Sequence, residues 1–554
     1  MKNDFIALCI CFSWLFFSCN QHPSADRIYI NAKIWTGDSL NPAAKAIAIK
    51  DSLILYVGDD YQSFIGSNTE QIDLQGKMLV PGFIDNHVHF LDGGYYLANI
   101  NLRNVKSKEE FISVFRHYTD SAKGNKWIRG GNWDHEAWGG QLPTKEWIDS
   151  ISGDHPVFVS RYDGHMGLAN SIALKRAAIT KETPNPPGGE IVKDPKTGEP
   201  TGVLRDEATS LIYRVIPDPE PSELDAALSL ASANALSHGF TQVHDMGTYG
   251  GWIDMETYRR AQASDKLPLR IYSFVAIRSW QKLDSFVKKN GWGDDRLHWG
   301  GLKGFVDGSL GSTTAWFYKP YLDAPRSTGL QVTDTNLLRK WIISADSVGL
   351  HIATHAIGDH ANDWILGVYN EAERLHPGKD HRFRVEHAQH LTEQAIGRFA
   401  EGGIIPSMQP YHAIDDGKWA AKRLDSARLK RTYAFKSLLA TKANLTFGSD
   451  WPVAPLDPIA GIYAAVTRRT LDDKNPGGWF PDQKISVEQA LRCYTVNNAW
   501  AAFQENKTGK LKAGMLADFT VLSEDLFSLK PEDIRSTKIL LTVVNGKEAY
   551  SLKK

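Results

Sequence analysis

The stretch VPGFIDNHVHF, residues 80–90, decides the fold, because it ends an apolar run with two histidines two positions apart. In a β-strand, side chains at positions i and i+2 point to the same face, so His87 and His89 would project together. Imidazole is the commonest protein ligand for transition metals, but a metal site needs three or four donors. A lone pair of this kind is more often two hydrogen-bonded polar residues. The rest of the chain must therefore supply the other ligands.

Seven further β-rich runs follow from residue 240 onward, at intervals that leave room for a helix. The runs are FTQVHDM (from 240), LRIYSFVAI (269), LHWGGLKGFVDG (297), GLHIATHAIGD (349), RFRVEHAQH (382), GIIPSMQP (403) and NLTFGSDWPV (444). With the opening run this makes eight, the number of parallel strands that closes a TIM-type barrel. The sequence therefore predicts an α/β fold with a (β/α)8 barrel, whose chemistry would lie at the C-terminal ends of the strands.

The predicted barrel spans residues 79–507. The rest of the sequence predicts two additions to it. The long interval after the first strand contains a Pro- and Gly-rich tract at 183–208, which indicates an inserted subdomain at about 125–210. Short strand-like runs near both ends predict a small β-sandwich domain built from residues 26–78 and 508–554.

Composition limits the class of partner. The 554 residues include 63 basic and 64 acidic side chains, so the formal net charge is -1. This balance gives no electrostatic reason to expect nucleic acid, and it suits a small-molecule substrate. Association into a homo-oligomer stays open.

The first nineteen residues, MKNDFIALCICFSWLFFSC, predict export. The apolar run at 5–17 is too short to span a bilayer comfortably and suits a secretory signal. The FFSC tetrapeptide resembles the lipobox of bacterial lipoproteins, in which Cys19 would become the acylated N-terminus, although Phe16 replaces the usual leucine. We therefore expect a lipoprotein signal peptide at 1–19, a membrane anchor at Cys19 and a location in the bacterial cell envelope. An uncleaved anchor and a soluble secreted form are the alternatives.

Metal-competent side chains recur at the ends of the predicted strands. They are His87, His89, Lys303, His355, His387 and Asp450. A metal site explains six such groups at one barrel mouth better than six unrelated polar residues would, because each buried polar group must be desolvated and paired. Histidines and one carboxylate without thiolates suit zinc or a similar divalent ion with open positions.

Six motifs carry a family resemblance: PGFIDNHVH, LKGFVDGSLGSTTA, HAIGD, VEHAQ, GSDWPV and LADFTVL. They resemble the amidohydrolase superfamily, specifically the amidohydrolase-3 branch of YtcJ-like proteins and N-substituted formamide deformylases, over about residues 26–550. The resemblance implies that the metal ligands are His87, His89, His355, His387 and Asp450. It also implies that Lys303, once carboxylated by carbon dioxide, is a candidate bridging ligand between two metal ions.

Several assignments keep an alternative. A protonated Lys303 has no lone pair to donate and could instead pair with Asp307 or another acid, which would leave one metal ion. His390 competes with His387 as the ligand on strand six. His244 and His412, which follow strands two and seven, are predicted to contact the substrate, with ligand orientation or a loop position as the alternative.

The predicted reaction is hydrolysis of an amide or related C–N bond by a metal-activated hydroxide, with Asp450 as the proton carrier. No nucleophile elbow, phosphate-binding loop or dinucleotide fingerprint accompanies the barrel. Hydrolysis of a lactone or ester, and deamination, would use the same site. An inactive ligand-binding lipoprotein is the alternative outside the enzymes.

Overall fold

A computed structural model of the chain describes residues 23–121, 126–161, 166–186, 189–247 and 252–552. The expected signal peptide and its Cys19 lie outside these residues. In the described part, Cys493 is buried as a free thiol. None of the described helices is both long enough and apolar enough to cross a membrane.

Eight parallel strands form the central sheet, numbered here in chain order with all other strands. They are β8 (Phe83–Val88), β15 (Phe240–Asp245), β16 (Arg270–Ala276), β17 (Leu297–Phe305), β18 (His351–Ala356), β19 (Arg384–His387), β20 (Ile405–Met408) and β21 (Thr446–Phe447). Neighbours in the sheet follow the chain order from β8 to β21. All residues of β8, β15 and β18 are buried, as expected when both faces of a parallel sheet are covered. The eight predicted strands are thus confirmed.

The seam between β21 and β8 nearly closes the sheet into a barrel. The Asp450 backbone N–H donates to the His87 carbonyl oxygen at 2.7 Å. Farther down the seam, the Asn498 side-chain amide donates to the carbonyl oxygens of Ile84 at 2.6 Å and Phe447 at 2.8 Å. The first and last strands are therefore joined beside two of the predicted metal ligands.

Helices surround this barrel. Those flanking its strands are α1 (Phe90–Ala98), α5 (Pro221–Ser237), α6 (Trp252–Ala263), α7 (Trp280–Asn290), α8 (Thr335–Ser347), α9 (Asp359–Leu375), α10 (Glu393–Glu401), α11 (Pro410–Asp416), α12 (Ser426–Leu429), α13 (Phe435–Ala440), α14 (Pro458–Thr467), α15 (Val487–Tyr494) and α16 (Val496–Ala501). Side-chain caps fix where two of them begin. The Asp334 carboxylate accepts from Leu337 N at 2.9 Å before α8, and the Thr392 hydroxyl accepts from Ala395 N at 3.1 Å before α10.

A second sheet of six strands lies in the long segment between β8 and β15. Its strands, in the order β13-β14-β12-β11-β10-β9, are β9 (Ile100–Asn101), β10 (Gly130–Trp133), β11 (Phe158–Arg161), β12 (Met166–Ala169), β13 (Gly189–Lys193) and β14 (Pro200–Asp206). The same segment contains α2 (Lys108–Ser121), α3 (Ser171–Arg176) and α4 (Ser210–Tyr213). The segment has its own apolar core, with Phe111, Trp133 and Leu168 at its centre. The sheet starts at β9, ahead of the boundary at about 125 expected from sequence, because β9 pairs in parallel with β10.

Two further sheets lie near the ends of the described chain, one built from N-terminal strands alone and the other from strands of both ends. Their strands are β1 (Arg27–Ile30), β2 (Lys33–Trp35), β3 (Ala43–Ala44), β4 (Ala46–Lys50), β5 (Leu53–Gly58), β6 (Glu70–Asp73), β7 (Met78–Pro81), β22 (Phe519–Leu522), β23 (Ile539–Val544) and β24 (Lys547–Ser551). One sheet has the order β5-β4-β1-β6 and the other β24-β23-β22-β7-β2-β3. Tyr29 of the first packs edge-on against Phe519 of the second, with ring centroids 5.0 Å apart. The barrel is attached to them by a buried ion pair, Arg270 Nε to Asp518 Oδ2, at 2.5 Å.

Candidate active site

Three predicted ligands from different parts of the barrel meet at the C-terminal ends of its strands. A nitrogen of His87, a nitrogen of His387 and a carboxylate oxygen of Asp450 all lie within 4.8 Å of one another. All three residues are buried. His87 is the next-to-last residue of β8, His387 ends β19 and Asp450 follows β21. All three therefore lie at the edge where the ends of parallel strands converge.

The orientation of His87 is fixed by a carboxylate. Its Nδ1–H donates to Glu386 Oε2 at 2.5 Å, and Arg384 Nε donates to the other oxygen of Glu386 at 2.7 Å. Burial would raise the pKa of Glu386, but the charge of Arg384 and the hydrogen bond from His87 hold it well below its usual range. Because Nδ1 is committed, the lone pair on Nε2 points to the strand ends.

His387 is held in the same way by an amide. Its Nδ1–H donates to Gln409 Oε1 at 2.9 Å, and burial lowers the pKa of the ring well below its usual range. The ring is therefore neutral and keeps a lone pair on Nε2. The backbone φ at His387 is +72°, in the left-handed region that non-glycine residues seldom adopt and that is enriched at functional sites.

Asp450 brings a carboxylate to these imidazoles. Its Oδ1 lies 3.4 Å from His87 Nε2 and 3.4 Å from His89 Nε2. Burial alone would raise the pKa of Asp450, but His87 and His89 hold it well below its usual range, so the group is ionised. Its backbone φ is also left-handed, at +60°. Two imidazole nitrogens and an ionised carboxylate this close together form a donor set that fits a bound cation.

His89 joins the cluster from the loop after β8. Its Nδ1–H donates to the Gly247 carbonyl oxygen at 2.8 Å, which turns Nε2 towards Asp450. Together His87 and His89 approach one carboxylate oxygen, as their i, i+2 spacing predicted.

Lys303 is buried inside the barrel on β17. Its Nζ lies 3.4 Å from His87 Nε2, and burial lowers its pKa to about 8. The alternative partner Asp307 is engaged elsewhere, because its carboxylate accepts from the backbone N–H groups of Trp316 at 2.8 Å and Gly358 at 2.8 Å. The geometry thus brings Lys303 to the metal-competent cluster.

His355 lies beside the group of three rather than within it. Its ring centroid is 4.5 Å from that of His387, but its Nε2–H donates to the Gly308 carbonyl oxygen at 3.1 Å. Burial lowers the pKa of His355 to about 3, so the ring is neutral and Nδ1 carries the free lone pair. His390, the competing ligand on strand six, instead bonds through Nδ1 with Thr432 Oγ1 at 2.8 Å.

The two residues predicted to contact the substrate lie in different surroundings. His412 on α11 approaches the site, with Nε2 3.9 Å from Asp450 Oδ2, and that nitrogen is buried without a hydrogen-bond partner among the described residues. His244 is fully buried; its Nδ1 accepts from Arg384 at 3.2 Å, and its Nε2 faces Gln242. The structure brings His412 to the cluster and keeps His244 behind Arg384, where it orients that side chain.

A cavity of about 300 Å³ opens beside the cluster, between the C-terminal ends of β15, β16 and β17. His89 and Lys303 form the side of the cavity shared with the cluster, and Phe305 and Trp341 are among its other walls. Such a mostly apolar cleft beside convergent polar groups is typical of a small-molecule site.

Sequence reasoning missed three residues that support the ligands: Arg384, Glu386 and Gln409. One signal was available for Glu386, since an acid next to a ligand histidine inside an apolar strand has to be paired when it is buried. Gln409 gave no such signal, because an amide after a strand is common.

The comparisons with known proteins agree with this geometry. The model of the amidohydrolase family matches residues 70–550. Protein LONG AFTER FAR-RED 3 of Arabidopsis thaliana is 41% identical over 538 residues, covering 95% of this chain and 92% of that protein. The N-substituted formamide deformylase of Arthrobacter pascens is 27% identical over 550 residues, covering 95% and 98%.

A solved structure extends the likeness to the fold. The crystal structure of an uncharacterized metal-dependent hydrolase from Pyrococcus horikoshii superposes with a TM-score of 0.77 at 29% identity, covering 91% of this chain and 99% of that one. Both the family model and this structure span the barrel and the strands that carry the cluster. On this evidence, and as its motifs indicated, the chain belongs to the amidohydrolase family.

Proposed function

We propose that this protein is a metal-dependent hydrolase that cleaves an amide or a related C–N bond with water. The observation that carries the proposal is the convergence of His87, His387 and Asp450 within 4.8 Å at the barrel mouth. His89 and Lys303 adjoin this group at 3.4 Å contacts, and His355 packs against His387.

The donor set supports a divalent ion such as zinc. Neutral imidazoles and one carboxylate are the ligands that zinc takes in catalytic sites, where open positions remain. His87, His387 and Asp450 would hold the ion, with His89, His355 and Lys303 available beside them. A bound divalent cation supplies Lewis-acid chemistry, which polarises a carbonyl group and makes water acidic enough to attack near neutral pH.

Asp450 is suited to move the proton. Its carboxylate is ionised and buried, and its Oδ1 is shared between His87 and His89 while Oδ2 faces His412. The carboxylate can take a proton from the attacking water and give it to the departing nitrogen, as a general base and then a general acid. His412 Nε2, which has no hydrogen-bond partner among the described residues, would help to position the carbonyl group.

The C–N bond is supported by the family and by one relative. The N-substituted formamide deformylase aligns with this chain over nearly its whole length. A screen of the purified protein, with measured metal content, against N-acyl amines, N-acyl amino acids, cyclic amides and lactones tests the proposal. Release of an amine from an amide supports it. Turnover of lactones or esters alone would contradict the proposal and indicate a lactone or ester hydrolase. Release of ammonia from a ring would indicate a deaminase.

We also propose that the protein is anchored in the bacterial envelope through acylated Cys19. The support is the apolar run at 5–17, which ends at a lipobox-like FFSC. Mass spectrometry of the membrane fraction should find a diacylglyceryl group on an N-terminal Cys19. An intact signal, or an unmodified N-terminus farther along the chain, would contradict the anchor.

A further inference from the structure

The cavity beside the cluster adjoins the reacting end of the site directly. Lys303 and Phe305 are two positions apart on β17, so their side chains lie on the same face of the strand, and both line the cavity. The Phe305 ring lies 5.3 Å from the His355 ring and 5.1 Å from Lys303 Nζ, measured to ring centroids. A substrate group in this cavity would therefore touch the same side chains that border the metal-competent cluster.

The walls of the cavity are largely apolar. The apolar side chains that line it include Met246, Ile277, Phe305 and Trp341. Two of these, Met246 and Ile277, are almost fully buried. At about 300 Å³ the cavity is at the small end of the range for ligand sites, with room for one aromatic ring or a short alkyl group. These walls would hold the hydrocarbon part of a substrate.

One cationic side chain at this cavity has no partner in the part of the chain that the structure describes. Arg278 lies in the single helical turn Ile277–Ser279 that follows β16, and it lines the cavity while remaining exposed to solvent. Its guanidinium makes no hydrogen bond, ion pair or aromatic contact with any residue that the structure describes. No acidic residue is among the described residues that line the cavity. A planar guanidinium with free donors matches a carboxylate, which it can bind through two parallel hydrogen bonds.

We propose that Arg278 binds a carboxylate of the substrate, and that the preferred substrates are amides joining a small aryl or alkyl group to this carboxylate. The amide bond in this substrate rests on the proposed hydrolase function, whereas the binding of a carboxylate by Arg278 does not. The apolar group would occupy the walls formed by Phe305 and Trp341, the carboxylate would meet Arg278, and the amide would face His89 and Lys303.

Binding tests this independently of turnover. We would titrate the metal-loaded full chain with 3-phenylpropionate and with its neutral analogue 3-phenylpropanamide by calorimetry. The wild type should bind the anion about tenfold more tightly, since a partly exposed charge-assisted contact of about 1.4 kcal/mol corresponds to that factor. Arg278→Ala should lose the preference and Arg278→Lys should keep part of it. Lys289→Ala is the matched control, because it removes an exposed cation of the following helix α7 that does not line the cavity.

Each other outcome of the titration contradicts the proposal. Equal affinity of the wild type for both compounds, or a preference that survives in Arg278→Ala, would show that Arg278 does not bind the anion. A preference that disappears when the metal is removed, while Arg278→Ala keeps it, would assign the carboxylate to the metal site.

A matched substrate pair extends the test to turnover. 4-(Acetamidomethyl)benzoate and N-benzylacetamide differ only in the carboxylate, so Arg278→Ala should raise KM about tenfold for the first and leave the second unchanged. An equal change for both would overturn the substrate preference. If the wild type binds the anion through Arg278 but hydrolyses no amide in the broader screen, the proposed reaction fails and the anion site stands.

Discussion

At the scale of the residue, the proposed reaction depends most on Asp450. We expect Asp450→Asn to leave the fold intact, because the amide is nearly isosteric, and to lower kcat by about 10² to 10⁴, the usual contribution of a general base. KM should change less, since the substrate contacts remain.

The metal content of this variant has to be measured alongside its rate, because an amide oxygen is a weaker ligand than a carboxylate. The comparison is made at equal metal occupancy. A fully metallated Asp450→Asn with nearly wild-type kcat would remove Asp450 as the proton carrier, and His412, 3.9 Å away, would be the next base to test.

We expect the state of Lys303 to decide the number of metal ions. A carbamate on its Nζ has two oxygens and can bridge two ions, whereas the unmodified side chain cannot. Its burial and its pKa near 8 favour the neutral amine, whose lone pair attacks the carbon of carbon dioxide and which then loses a proton to form the carbamate. We therefore expect two metal ions per wild-type chain and one in Lys303→Ala, measured by elemental analysis, with Lys289→Ala as the control. Equal metal content with retained activity would take Lys303 out of the site.

Residue types and spacing were enough to predict which side chains meet at the ends of the barrel strands, but the contacts that orient them were not accessible from sequence. Lys303 illustrates the difference. Its nearest acid in sequence, Asp307, is held by backbone N–H groups of Trp316 and Gly358, residues that only the folded chain brings near it. Partners of this kind carry no sequence pattern, because any residue supplies a backbone N–H.

At the scale of the element, α8 supplies one wall of the cavity through Trp341, and its N-terminal cap is a single side chain. Asp334→Ala removes the acceptor for Leu337 N, and we expect it to lower the free energy of unfolding by about 1 kcal/mol. Urea unfolding measures this change. Asp334→Asn keeps an acceptor oxygen, so its free energy of unfolding should fall by only about a few tenths of a kcal/mol. Equal stability of the alanine variant and the wild type would mean that the cap contributes nothing.

The strands themselves were predictable, because each is a short β-rich apolar run and both faces of a parallel sheet are buried. The residue at which the inserted sheet begins was not predictable from the sequence. Strand β9 has only two residues, Ile100 and Asn101, and it becomes a strand because β10 lies beside it. A two-residue element has no periodicity that a sequence could reveal.

At the scale of the whole molecule, one buried ion pair joins the barrel to the strands near the C-terminus. Arg270 and Asp518 are 2% and 3% exposed in their side chains, so removing one partner leaves a buried unpaired charge. We expect Asp518→Ala to lower the free energy of unfolding by about 3–5 kcal/mol, measured by denaturant unfolding.

The matched control for that variant is Lys507→Ala. Lys507 pairs with Asp295 in a contact whose two side chains are 54% and 44% exposed, so its loss should cost below about 1 kcal/mol. Similar losses in both variants would show that the burial of the Arg270–Asp518 pair does not matter to the attachment.

The seam between β8 and β21 has a consequence for when the protein becomes active. His87 belongs to the first barrel strand and Asp450 follows the last, and the backbone of one bonds to the backbone of the other. A chain whose synthesis has not yet reached β21, or one truncated before it, possesses His87 without the Asp450 carboxylate and lacks the three-residue cluster. Long-range closure of this type is slow, because distant parts of the chain must meet. The proposed hydrolytic activity therefore requires that β8 and β21 have already met, and an incompletely folded chain would lack it.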